Sequence, residues 1–167
     1  MNIALTFVAT ALLSLCARPD ENREFTYWST LKTGSWVKLK MEAEAQGVKI
    51  LVEATHTLIE TGSDKVVVEQ KTKVTAGGQA QPEATEKEEI FKDKEKDPIK
   101  IAKEGDEEIE VNGKKMQCHW VEGTQKETTK IKLWLSKEIP GGIAKGEVSG
   151  GEIPGVMKIS AASWEKK

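Results

Sequence analysis

The sequence predicts a mostly β chain, an antiparallel meander forming a curved sheet or half-barrel, with a short N-terminal helix or strap. Three observations predict it. Asn112-Gly113 and Gln46-Gly47 each stand between runs of alternating apolar and polar residues. Asn-Gly in that setting is the strongest short-range hairpin signal, because a type I′ turn needs positive φ at both central residues. Hydrophobic residues make up 38% of the chain and aromatics 5%, against 31% charged. That balance suits a thin sheet with one wet face better than a three-layer α/β enzyme. Finally, no 3.6-residue periodicity persists beyond the leader, so crossover helices for a parallel sheet are missing.

A length of 167 residues fits one domain with a real core. Net charge is −2, from 25 basic and 27 acidic residues, which argues against a polyanion or nucleic-acid partner. Residues 1–17 carry no charged side chain, and Ile3 to Leu15 forms an apolar stretch too short for an ordinary membrane span. Export is the expectation, to the periplasm or to a membrane through a lipid anchor. Leu13-Ser14-Leu15-Cys16 resembles a bacterial lipoprotein signal, which implies lipid attachment at Cys16, although Leu15 stands where that family has Gly, Ala or Ser. Cleavage near Ala17 by a conventional signal peptidase is the competing scheme. Either one leaves Cys118 as the sole cysteine of the folded body, so no internal disulfide is expected.

Residues 18–32 read as a leader whose Phe25, Tyr27 and Trp28 anchor it across the sheet by burial. The remaining span, 33–167, reads as a single β domain. Ser35–Glu42 and Val48–Glu60 alternate around Gln46-Gly47, which pairs Ala43 with Ile50, Met41 with Val52 and Leu39 with Ala54. Lys40 then faces Glu53 on the other side. His56 lands among the apolar residues, opposite Val37, where a histidine is more often a core or rim side chain with its hydrogen bonds satisfied than a ligand. Lys65–Val74 is a third strand whose register is ambiguous over Val66, Val67 and Val68. Residues 75–97 form a charged excursion in which Ile90 and Phe91 are the only large apolar anchors.

A short strand beginning at Pro98 is expected to turn at Glu104-Gly105-Asp106 into the Asn112-Gly113 hairpin. Closing that hairpin pairs Val111 with Lys114, Ile109 with Met116 and Glu107 with Cys118. Ile109, Val111, Met116, Cys118 and Trp120 then share the apolar face, while Asp106 faces His119 on the polar side. Glu122-Gly123-Thr124-Gln125 then leads into a strand in which Ile131, Leu133 and Leu135 point one way, and Lys130, Lys132 and Trp134 the other. Pro140-Gly141-Gly142 stops it. Two short strands, Ile143–Val148 and Gly155–Trp164, complete the meander.

No nucleotide loop, zinc spacing, nucleophile elbow or catalytic triad is present. Cys118 and His119 are adjacent in a strand and therefore point to opposite faces, which argues against a dyad or a bidentate metal clamp and leaves a metal- or redox-linked role for them as a third reading. No cofactor and no metal are expected, and the chain reads as a non-enzyme. Trp36 and Trp134 sit out of phase among Lys38, Lys40, Lys130 and Lys132, so they are candidates for a partner surface unless the leader or the charged excursion covers them.

The signal segment, the meander of long hairpins and the leader across the sheet resemble the LolA/LolB-type half-barrel of lipoprotein carriers. WLSKEIPGG, residues 134–142, is also similar to small exported bacterial proteins with no activity attached. A closed lipocalin-like barrel is the alternative fold. The carrier resemblance is architectural and brings no functional residue with it. It implies a binding protein of the cell envelope that holds a lipid, an acyl chain or a lipidated envelope partner on a concave apolar face. Val37, Leu39, Met41, Val52, Met116, Trp120, Ile131 and Leu133 are the expected lining. The other reading is a structural or interaction module with a filled core and no ligand.

Overall fold

The computed structural model describes residues 17–18, 21–93, 98–151 and 153–167. Residues 1–16 of the expected signal segment, Cys16 included, lie outside them. Two short strands, β1 (Ala17–Arg18) and β2 (Glu21–Asn22), pair with each other and lead into helix α1 (Arg23–Ser29). Asn22 caps that helix by accepting hydrogen bonds from the backbone amides of Glu24 and Phe25, at 3.1 and 3.3 Å. Ten further strands follow: β3 (Trp36–Ala45), β4 (Val48–Thr61), β5 (Lys65–Ala76), β6 (Gln79–Ala80), β7 (Ala84–Phe91), β8 (Lys100–Val111), β9 (Lys114–Gln125), β10 (Thr129–Leu135), β11 (Ile143–Gly150) and β12 (Ile153–Glu165).

All ten belong to one antiparallel sheet that does not close into a barrel, so the closed-barrel alternative is set aside. Its order is β6-β5-β4-β3-β12-β11-β10-β9-β8, with β7 also lying along β5. The chain thus makes two meanders, and the pairing of β3 with β12 joins them at the centre. Both predicted hairpins have the predicted register, Met41 opposite Val52 and Ile109 opposite Met116. Gln46, Gly47, Asn112 and Gly113 all have positive φ.

One row of side chains shows how the core is built. It runs Val74, Val52, Met41, Ile159, Gly146, Leu133, Val121, Glu104, one residue from each of eight strands, every pair directly opposite. Everything between its two ends is buried. Residues two positions away along each strand fall on the same face, which makes this the inner face of the sheet.

The structure corrects several sequence expectations. Residues 84–91 of the charged excursion are an edge strand, β7, because Ile90 pairs with Val66 and buries on the inner side. Its polar residues suit an edge that water wets. A bulge at Ile59 shifts β4 against β5, so Val66, Val67 and Val68 are all buried despite alternation. No turn occurs at Gly105. That residue sits inside β8, where an added Cβ would lie 2.9 Å from the indole nitrogen of Trp120. Gly123 likewise lies inside β9, its open side taken by the Lys100 carbonyl. Lys40 faces Glu53 as expected, but the ion pair goes diagonally from Lys38 to Glu53 at 2.9 Å.

Candidate functional site

The inner face gathers six of the eight predicted lining residues: Val37, Leu39, Met41, Val52, Ile131 and Leu133, all buried. Trp120 is not among them, and Met116 joins the buried cluster of Val37 and Leu39 from the other side of β9. Trp120 stands opposite Trp134, and Leu133 opposite Val121, so β9 turns Met116, Cys118 and Trp120 to the opposite face. The apolar character of β9 changes sides between Cys118 and Val121. Met116 and Cys118 are nevertheless buried, because the distal half of the β8–β9 hairpin bends over β11 and β12. The Asn112 side-chain amide holds it there, donating to the Ala162 carbonyl at 2.7 Å. A pocket of about 280 Å³ remains beneath this hairpin, with Val111, Ala144 and Ala161 in its walls and Lys40, Lys145 and Ser160 beside them.

Helix α1 covers one end of the inner face. Phe25 and Trp28 share a buried cluster with Val37, Leu39 and Leu58, while Tyr27 packs against the neighbouring cluster that holds Met41, Ile131 and Leu133. The start of α1 also spans the two unpaired sheet edges. On the β7 side the Asn22 backbone amide donates to the Lys92 carbonyl at 3.1 Å, and its side chain to the Phe91 carbonyl at 2.9 Å. On the β8 side Arg23 lies 3.9 Å from the Glu104 carboxylate. Anchoring of the strap by Phe25 and Trp28 agrees with the sequence.

The inner face contains a polar island. His56 stands opposite Gln70, and Thr72 opposite the neighbouring Ala54, with all four residues buried. Gln70 donates to the Thr72 hydroxyl at 3.0 Å. His56 is 2% exposed, and neither of its ring nitrogens has a hydrogen-bond partner. The sequence placed this side chain correctly but implied that it was satisfied; it is not. Burial pushes its pKa from 6.5 down to about 4, so the ring is neutral at pH 7.

Near the β8 edge, His119 sits between two carboxylates. Its Nδ1 is 3.0 Å from Asp106 and its Nε2 is 3.3 Å from Glu104. The predicted Asp106–His119 pair is therefore present, extended by Glu104 and Arg23, which sequence reasoning missed because they meet only through the strap. Carboxylates approaching different ring nitrogens cannot converge on one ion, and no metal-holding cluster occurs among the described residues. Cys118 sits among apolar neighbours. Burial, helped by Glu138 and Glu107, raises its pKa from 9.0 to about 11, which leaves a protonated, weakly nucleophilic thiol.

On the opposite face, Lys132 Nζ lies 5.1 Å from the centroid of Trp120 and 4.8 Å from that of Trp134. The Trp134 indole donates to Glu107, and Trp36 donates to Glu165 at 3.1 Å. Trp36 and Trp134 share this face but engage different strands. Trp120 is the ring that partners Trp134.

No protein-family model matches this chain, and no curated protein matches it in sequence.

Proposed function

We propose that this chain is a non-enzymatic binding protein of the cell envelope, exported or lipid-anchored, that shelters an apolar ligand on the inner face of its open sheet. In this reading α1 is a cover that a ligand displaces. The observation that carries it is the gap between the β7 and β8 edges, spanned among the described residues by Asn22 and Arg23. A sheet with one continuous apolar row and a small strap across its opening supplies a ligand surface whose access depends on a few weak contacts. The architectural likeness to lipoprotein carriers supports the same reading.

Affinity would come from burying apolar area at ~25 cal/mol per Å², less the cost of ordering ligand and strap. Leu133, at 0% exposure, and its neighbours are fully enclosed, so binding requires α1 to move. That same enclosure favours the second reading, an interaction module whose interior is simply filled.

The two separate in one experiment. An apolar fluorescent probe, N-phenyl-1-naphthylamine, is titrated into the mature protein and into a variant whose α1 is cross-linked to β5. A carrier binds the probe, releases it to medium-chain lipids and loses binding when locked. A filled module binds in neither form.

A further inference from the structure

The polar island on the inner face identifies the head group of the ligand. This inference rests on the carrier reading above and adds its ligand chemistry. Buried polar groups in native proteins nearly always have partners, and each exception calls for an explanation. His56 is such an exception, with two unpaired ring nitrogens. Its cross-strand neighbours offer no remedy. Val37 on β3 is apolar, and Gln70 on β5 turns an amide N–H to Thr72 and makes no hydrogen bond to the ring. Along its own strand it has Ala54 and Leu58, both fully buried.

Phe25 and Trp28 of the strap belong to the same buried cluster as Val37, opposite His56 on β3, and Leu58, two residues along β4. In this closed arrangement the imidazole is buried beside apolar side chains with neither nitrogen paired. A ligand that replaces the strap therefore gains wherever it brings a hydrogen-bonding group to the ring. We propose that His56 is the recognition residue for the polar head of an apolar ligand, and that this head is an uncharged hydroxyl, as in a long-chain alcohol or a monoacylglycerol.

The choice of an uncharged head follows from the setting. A neutral imidazole has one N–H donor and one acceptor nitrogen, and a hydroxyl can serve either. A carboxylate would lose its hydration with no cation among the island's residues to replace it, an expensive exchange. Gln70 and Thr72 add a polar rim beside the ring.

The test is displacement of the same naphthylamine probe by 1-decanol and by decanoate, in wild type and in His56→Leu. Leu matches the apolar surroundings, so this variant should fold at least as well as wild type. Wild type is expected to release probe to decanol at about tenfold lower concentration than His56→Leu does, the worth of one well-made buried hydrogen bond. Decanoate should compete poorly with both. Nitrogen-15 spectra of the wild-type His56 ring, which need no variant, should shift on adding decanol. Equal displacement by decanol in the two proteins, with ring signals unmoved, would overturn the assignment while leaving the carrier intact. Absence of probe binding in wild type would instead remove the carrier reading itself.

Discussion

Trp120 and Trp134 stand directly opposite each other across β9 and β10, and the Lys132 ammonium lies over both rings. The three form a cation–π sandwich on the face away from the core, next to the bend of the β8–β9 hairpin. Each such contact at a partly exposed site stabilises by about 0.5–1 kcal/mol. Lys132→Gln keeps the length and polarity of the side chain but removes the charge. We expect a loss of about 1 kcal/mol in urea unfolding, together with a change in tryptophan emission. An unchanged midpoint would mean that the rings hold their place without the cation.

Asn22 does two jobs, capping α1 and tying it to β7 through the Phe91 carbonyl. Replacing it with Ala removes both. The expected cost is about 1 kcal/mol for the cap. If α1 is the cover over the ligand face, Asn22→Ala also speeds probe association and raises amide exchange across residues 23–29 ahead of the sheet. Exchange that stays uniform would show α1 to be part of the cooperative core.

Cys118 is expected to be inert in the folded protein. At pH 8 a thiol raised to about 11 is almost entirely protonated, and this one is buried as well. Labelling by a maleimide should be slow in buffer and fast in urea. Rapid labelling of the native state would revive a redox role for this residue.

His56 makes stability depend on pH. Its pKa is depressed from 6.5 to about 4 in the folded state. Above 6.5 the ring is neutral in folded and unfolded chains alike. Below it the unfolded chain takes up a proton that the native state refuses, so stability falls as pH drops from 6.5 towards 4. The slope approaches ~1.4 kcal/mol per pH unit. Urea unfolding between pH 7 and 5 should show the slope in wild type and its loss in His56→Leu.

The parts of the fold that the sequence announces are those where two local signals agree. Asn112-Gly113 and Gln46-Gly47 lie between clean alternations, and both registers are as expected. Glycines elsewhere mislead, because Gly105 and Gly123 make room for Trp120 and for the Lys100 carbonyl inside strands. The turn after β9 is the converse case, built on Lys126 and Glu127, both at positive φ without glycine or asparagine. Trp120 was assigned to the wrong side because β9 bears apolar residues on both faces, one half covered by the hairpin bend and the other by the core. The site was less visible still. Alternation alone located Met41, Val52, Ile131 and Leu133 on their strands, whereas the Arg23–Glu104 contact and the unpaired state of His56 arise from packing between distant segments.

Met41 opposite Ile159 closes the seam between two sets of strands made at different times. Strands β3 to β7 leave the ribosome first, and the flank of β3 has its pairing partner only once residues 153–165 follow. The two meanders therefore join only when residues 153–165 are available, which makes the C-terminal strand the clasp of the whole sheet.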